Sequence, residues 1–290
     1  MPPESIQPPS PMDNFMFAAG FKSISDAPIA MSLTNAVLLN ASRPQLNVVD
    51  ELSCERVLLG EGRKYRGCRL DLSIMEGDHL LNLEVQITAL RHMAERMVFN
   101  MSRMLSLGTV SGAKYEELPR ITVIAILDFE YRDGHTDFHQ PFGLYYEKDP
   151  QLVTSKFDYH IIEMPKFRKI KPDIKIPLHR WLYYLSDGYK DPDDALIKEA
   201  LKMDEGLYQF AMHYQRNLSD PKIMHAYYGH LMERMDELER IDTAMYMGEA
   251  KNAYESLRFM SQNGMPVSVL RQYAQKHGIT PEKLNQIIQS

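Results

Sequence analysis

The sequence predicts an α/β protein with a mixed β-sheet and a helical C-terminal region. Residues 64–87 alternate apolar and polar side chains around a short Gly-containing turn, and residues 121–127 (ITVIAIL) are apolar throughout. A helix pattern over residues 89–107 separates these two segments, which indicates a strand–helix–strand crossover. Beyond Pro177, helix patterns follow one another with few strand signals.

Composition indicates a soluble protein. The 290 residues are 44% hydrophobic and 25% charged, as in ordinary globular domains. No apolar run approaches 20 residues and no charged-then-apolar leader is present, so neither a membrane span nor a signal peptide is expected. Cys54 and Cys68 form no CxxC pair, which favours a reducing, cytoplasmic location. The net charge of −6 does not indicate general nucleic-acid affinity, although a nuclease needs only a local basic surface.

The chain begins with a Pro-rich segment, residues 1–11, that is expected to be a disordered arm. Two short helices are predicted next, over residues 13–21 and 28–40, the second capped by Asp26 with Pro28 in its first turn. A short strand is expected at residues 57–59, before the hairpin of residues 64–87.

The hairpin concentrates polar side chains on one face. Because successive strand residues point to opposite faces, Asp71 on the first strand and Glu84 and Gln86 on the second can share one surface. The short turn at residues 76–78 pairs the two strands directly. Two carboxylates and an amide that converge in this way form a candidate metal site.

The helix predicted over residues 89–107 has two distinct faces. One face is an apolar stripe, and another carries Arg96, Asn100 and Arg103 at steps of four and three residues. The strand at residues 121–127 is expected to be central and covered on both sides. Two further strands, residues 141–147 and 157–163, are predicted to pair with each other.

Helices dominate the rest of the chain, so we expect an α/β core at residues 12–175 and a helical extension at residues 176–290. The extension is expected to assist partner binding or self-association, as a homo-oligomer. Its last 24 residues predict a short helical hairpin with a turn at residues 277–280.

The order of these elements, with RLD and LEVQ on the hairpin, resembles the Rpn-like family of recombination-promoting nucleases and putative transposases, in the PD-(D/E)XK nuclease superfamily. The resemblance extends from the Leu33-x-Asn35 segment through ITVIAIL and HIIEMPKF to the helical tail. It implies a restriction-endonuclease-like core, a mixed sheet flanked by helices, that hydrolyses DNA with Mg²⁺ or Mn²⁺ in recombination or mobile-element biology.

The resemblance also implies roles for individual residues. Asp71 and Glu84 would be metal ligands and catalytic residues, and the backbone carbonyl of Val85 would add a third ligand oxygen. Hard cations with oxygen ligands suit phosphodiester hydrolysis, because they neutralise charge and activate water. Gln86 stands where the superfamily often has Lys, and it can only orient water or phosphate by hydrogen bonds.

Two parts of the sequence carry candidate cations for DNA binding. Arg96 lies near the predicted site, and the segment 165–177 carries a run of basic residues suited to backbone phosphates. The candidate DNA-contacting residues of that segment are Lys166, Arg168, Lys169 and Lys171. Arg96 can equally be a surface residue paired with a nearby glutamate, and the segment can equally be a solvated linker.

Other signals favour structural roles. His135 and His139 are expected in a loop without a third metal ligand, and Glu163 is expected to pair with a nearby lysine. Two alternatives to hydrolysis remain open: a catalytically inactive nuclease fold that binds DNA or protein, and a transposase that joins strands.

Overall fold

A computed structural model describes residues 8–21, 23–58, 68–89, 92–109, 112–263 and 265–289. Residues 1–7 of the predicted arm and residues 64–67 of the predicted hairpin lie outside these ranges. The chain forms two compact units, Met1–Met224 and His225–Ser290. Within the described ranges, no helix is both long enough and apolar enough to cross a membrane.

The first unit contains a six-stranded mixed sheet, as the sequence predicts. Its strands, in chain order, are β1 (Glu51–Leu58), β2 (Cys68–Glu76), β3 (His79–Gln86), β4 (Arg120–Leu127), β5 (His139–Phe142) and β8 (Phe157–Glu163). A separate pair consists of β6 (Tyr145–Tyr146) and β7 (Asp149–Leu152). The spatial order is β1-β2-β3-β4-β8-β5, with β3, β4 and β8 parallel and the other neighbours antiparallel.

The predicted hairpin is β2 and β3, joined by a turn in which Gly77 has φ +56°, a conformation that favours glycine. β1 begins six residues before the predicted strand, because an edge strand needs no continuous apolar pattern. The predicted strand at residues 141–147 is interrupted at Gly143, and only its first part, in β5, pairs with β8.

Helices cover both faces of the sheet. Those of the first unit are α1 (Asn14–Ala18), α2 (Ala27–Asn40), α3 (Met93–Gly108), α4 (Met164–Phe167), α5 (Pro177–Ser186), α6 (Ala195–Met203) and α7 (Glu205–Ser219). The predicted cap of α2 is wrong in one respect: the Asp26 carboxylate accepts from the N–H of Ser23, at 3.0 Å, and does not cap the helix.

The apolar stripe of α3 packs on one face of the central strands. Met93, Met97 and Met104 are buried against alternate residues of β4, among them Val123 and Ala125. Thr122, Ile124 and Ile126 are buried on the opposite face, so this strand is central and covered on both sides, as predicted. The sheet face beneath α3 is the face that carries Glu84, because Glu84 is in register with Ala125.

Aromatic packing joins the helices after residue 175 to the N-terminal helices. The ring centroid of Phe210 on α7 lies 5.7 Å from that of Phe21 and 5.5 Å from that of Trp181 on α5. Residues 176–224 of the predicted extension therefore belong to the same compact unit as the predicted core of residues 12–175.

The second unit contains most of α8 (Pro221–Gln262), followed by α9 (Val267–Lys276) and α10 (Pro281–Gln289). The last two helices form the predicted hairpin, with Gly278 in the turn at φ +64°. They pack on the end of α8, where Leu257, Leu270 and Leu284 are buried together.

The buried imidazole of His79 makes stability depend on pH. Its Nε2 lies 2.8 Å from Thr122 Oγ1, and burial, reinforced by the charge of Arg120, lowers its pKa from 6.5 to about 4. The unfolded chain takes up this proton near pH 6.5, so the stability present above that pH is lost as the pH falls toward 4.

We expect this histidine to reduce the free energy of unfolding by about 2 kcal/mol between pH 7 and pH 5. Urea unfolding at both pH values measures the change. In His79→Gln protein, which keeps a side chain able to bond Thr122, the decrease is expected to be smaller by that amount. An equal decrease in both proteins would contradict the prediction.

Candidate active site

The predicted carboxylates lie side by side on the hairpin. The β2–β3 register pairs Ser73 with Asn82, and its continuation places Asp71 opposite Glu84. The N–H of Val85 donates to Asp71 Oδ2 at 3.4 Å, which holds the Asp71 side chain against β3. Glu84 is buried and Asp71 is half-buried at the edge of this polar patch.

Two amides fix the Glu84 carboxylate. Asn82 on the same strand donates to Glu84 Oε1 at 2.8 Å, and Asn100 on α3 donates to the same oxygen at 3.1 Å. Among the described residues, Glu84 Oε2 receives no hydrogen bond, so one carboxylate oxygen is held and the other is available to a ligand. This arrangement orients the carboxylate without using all its acceptor capacity.

The electrostatics of the site favour a cation. Burial raises the pKa of Glu84, and the neighbouring charge of Asp71 raises it further. The positive charge of Arg96 and the two amide hydrogen bonds act in the opposite direction and lower the pKa of Glu84. Two close carboxylates in a partly buried place repel each other, and a divalent cation between them would relieve this repulsion.

Two buried side-chain oxygens without a hydrogen-bond partner among the described residues lie on the strands that carry the carboxylates. These atoms are Asn82 Oδ1 and Ser73 Oγ. Buried oxygens are normally satisfied by protein, water or an ion, so these atoms fit a site that holds a cation with its water molecules. Within the described ranges no three His, Cys, Asp or Glu side chains form a ligand set, so carbonyl, amide or water oxygens would have to complete the coordination.

The backbone of β3 places the Val85 carbonyl on the Asp71 side. The carbonyl of Gln86 accepts from the N–H of Asp128, which follows β4, whereas the N–H of Val85 points to Asp71 on β2. Because the N–H and C=O of one strand residue point to the same side, the Val85 carbonyl also faces β2. The β2–β3 ladder ends at Leu72 and Leu83, before this carbonyl.

Gln86 and Arg96, the other residues predicted near the hairpin, both lie close to Glu84. Gln86 is half-buried on the same strand face as Glu84, and its side chain makes no hydrogen bond among the described residues. Arg96 is exposed on the first turn of α3, and its charge acts on Glu84. The structure therefore brings Asp71, Glu84, Gln86 and Arg96 to one end of the hairpin.

The basic segment after β8 is less available than predicted. The structure contradicts the predicted exposure of Lys166: this side chain is buried, and its Nζ lies 2.6 Å from Glu163 Oε2. Arg168 pairs with Asp128 and Lys169 with Glu130, each at 2.5 Å, while Lys171 is exposed and has no ion pair among the described residues. Exposed ion pairs are weak enough to exchange their partner for a phosphate.

Glu163 has the structural role that the sequence predicts. Its carboxylate accepts from Lys166, from the Gln140 side chain and from the N–H groups of Tyr131 and Arg132. Only His135 lies in the predicted loop, because His139 is the first residue of β5. The two histidines have separate partners: His139 lies beside His160, and His135 beside Arg132.

Sequence reasoning missed Asn82 and Asn100 as the groups that hold Glu84. Asn82 lies two residues before Glu84, on the same strand face, which is a usable local signal. Asn100 lies four residues after Arg96 on α3, but only the packing of that helix on the sheet brings it to Glu84.

The chain matches a known protein family over most of its length. A family model described as PD-(D/E)XK nuclease family transposase matches residues 11–244. No curated protein and no solved structure matches the chain significantly.

Proposed function

Because the chain belongs to the PD-(D/E)XK nuclease family transposases, we propose that it is a Mg²⁺-dependent endonuclease that hydrolyses DNA phosphodiesters in recombination or mobile-element biology. The observation that carries this proposal is the Asp71–Glu84 pair, with one Glu84 oxygen held by two amides and the other available. Mn²⁺ is expected to replace Mg²⁺, since both take oxygen ligands.

Each residue of the site has its own role in this proposal. Asp71, Glu84 and the Val85 carbonyl would hold the cation, which when bound supplies charge neutralisation at the phosphate and activates water. Gln86 would orient water or a phosphate oxygen, because an amide cannot act as a base. Arg96, Arg168, Lys169 and Lys171 would contact backbone phosphates, which carry no sequence information.

Supercoiled plasmid incubated with the protein tests the proposal directly. Nicked and linear products are expected with Mg²⁺ or Mn²⁺, and none with excess EDTA. Absence of cleavage together with retained DNA binding would favour an inactive nuclease fold. Because the family description also names transposases, the assay should include a second, labelled duplex: joined products would indicate strand transfer.

Asn100 is expected to act by positioning Glu84. Asn100→Ala removes one of the two hydrogen bonds to Oε1 and leaves the carboxylate less well oriented, so affinity for Mn²⁺ should decrease about 10- to 100-fold. Calorimetric titration with Mn²⁺ measures this change. Ser102→Ala is the matched control, because the exposed hydroxyl of Ser102 on α3 donates to the carbonyl of Val98 and, among the described residues, makes no bond to Glu84. Equal affinity in the two variants would exclude the positioning role.

A further inference from the structure

An apolar stripe runs along the first half of α8, within the second unit. Its members are half-buried or at least 50% exposed along five turns of the helix: Tyr228, Leu231, Met235, Leu238, Ile241 and Met245. They recur at steps of three and four residues, the spacing of a coiled-coil seam. The helix of 42 residues is also much longer than the helices typical of globular domains.

The heptad assignment follows from this spacing. Tyr228 and Met235 occupy a positions, and Leu231, Leu238 and Met245 occupy d positions. Asp242 is the third a position, and the Asp242 carboxylates of the two copies face each other there in a parallel pair, which lowers the stability of this end of the seam.

The residues at the flanking g and e positions favour a second copy of the same helix as the partner. In a parallel, in-register pair, a g residue of one helix faces the e residue five positions later on the other helix. This geometry pairs Arg234 with Glu239, and it also pairs Tyr227 with Met232 and Ile241 with Tyr246. All three pairs are complementary: one joins opposite charges and two join apolar side chains.

Other orientations and partners fit less well. An antiparallel pair brings g residues against g residues and e residues against e residues, so these matched pairs are lost. DNA is excluded by charge, because residues 227–249 contain six carboxylates and two arginines.

We infer that α8 is the interface of a homodimer, in which residues 227–246 of two copies of this chain form a parallel, in-register coiled coil. The inference is independent of the proposed nuclease activity.

Sedimentation equilibrium of the full-length protein tests the interface. The wild-type chain is expected to be a dimer, and Leu238→Glu should weaken the dimer about 100-fold or more, because it buries two unpaired carboxylates. Met247→Glu is the matched control: Met247 is 66% exposed on the opposite side of the same helix, and this variant should remain dimeric. Circular dichroism confirms that both variants are folded. A monomeric wild-type protein, or a dimer unaffected by Leu238→Glu, would overturn the inference.

Charge exchange tests the partner geometry. Arg234→Glu and Glu239→Arg should each weaken the dimer about 10-fold, because each replaces two opposite-charge pairs by like-charge pairs. The double variant should recover to within about 2-fold, since it restores both pairs in reverse. Single variants with unchanged affinity would contradict the parallel register.

Cysteine cross-linking tests the orientation. Leu231→Cys, Leu238→Cys and Met245→Cys should each form an intermolecular disulfide under mild oxidation, because identical d positions meet in a parallel pair. The parent protein, whose cysteines lie outside α8, is the baseline. Cross-linking at one position alone would indicate an antiparallel pair and overturn the inference.

Discussion

Glu84→Gln and Asp71→Asn proteins are expected to lose metal-dependent DNA cleavage by about 1,000-fold or more. Each substitution keeps the shape of the side chain and removes one of the two negative charges that would hold the cation. Timed cleavage of supercoiled plasmid at saturating Mg²⁺ measures the loss. Asp78→Asn is the matched control, since this exposed carboxylate lies in the turn of the same hairpin and pairs with Lys156.

Thermal unfolding separates a lost metal site from a damaged fold. Without metal, Glu84→Gln protein should be more stable than wild type, because the substitution removes a buried charge beside Asp71. Mn²⁺ should raise the melting temperature of the wild-type protein and not that of the variant, since a ligand stabilises only the state that binds it. Full cleavage by either carboxylate variant would refute the site.

The hairpin site could be predicted from sequence because its geometry is local. Alternation places Asp71 and Glu84 on one face, and a turn of fixed length sets their register, so no distant contact is needed. The strand ITVIAIL was equally predictable, because a short strand that is apolar at nearly every position is normally covered on both faces.

Contacts between distant segments could not be predicted in the same way. The period of α3 gives the face that packs, but not the strand residue that lies beneath Asn100. The burial of Lys166 was also missed, because a run of basic residues normally indicates a solvated surface. Its partner Glu163 is only three residues away, but the loop that encloses both begins more than thirty residues earlier.

Lys166→Met is expected to reduce the free energy of unfolding by about 3–5 kcal/mol. The Lys166 side chain is buried between Glu163 and the carbonyl of Arg132, and its removal leaves the Glu163 carboxylate without its cation. Urea unfolding measures the loss. The double variant Lys166→Met/Glu163→Gln should recover part of the lost free energy of unfolding, because neither the buried carboxylate charge nor its counter-ion then remains.

Lys171→Met, at an exposed position of the same segment, is expected to affect DNA binding and not stability. It should leave stability within about 0.5 kcal/mol of wild type, while weakening DNA binding and reducing the salt slope by about 1, since one phosphate contact is lost. Lys166→Met protein that remains folded should bind DNA with the wild-type salt slope. Stable Lys166→Met protein with a reduced slope would mean that Lys166 contacts phosphate, in contradiction to its burial. The two lysines, five residues apart, thus separate the part of this segment that supports the fold from the part that is exposed to a nucleic acid.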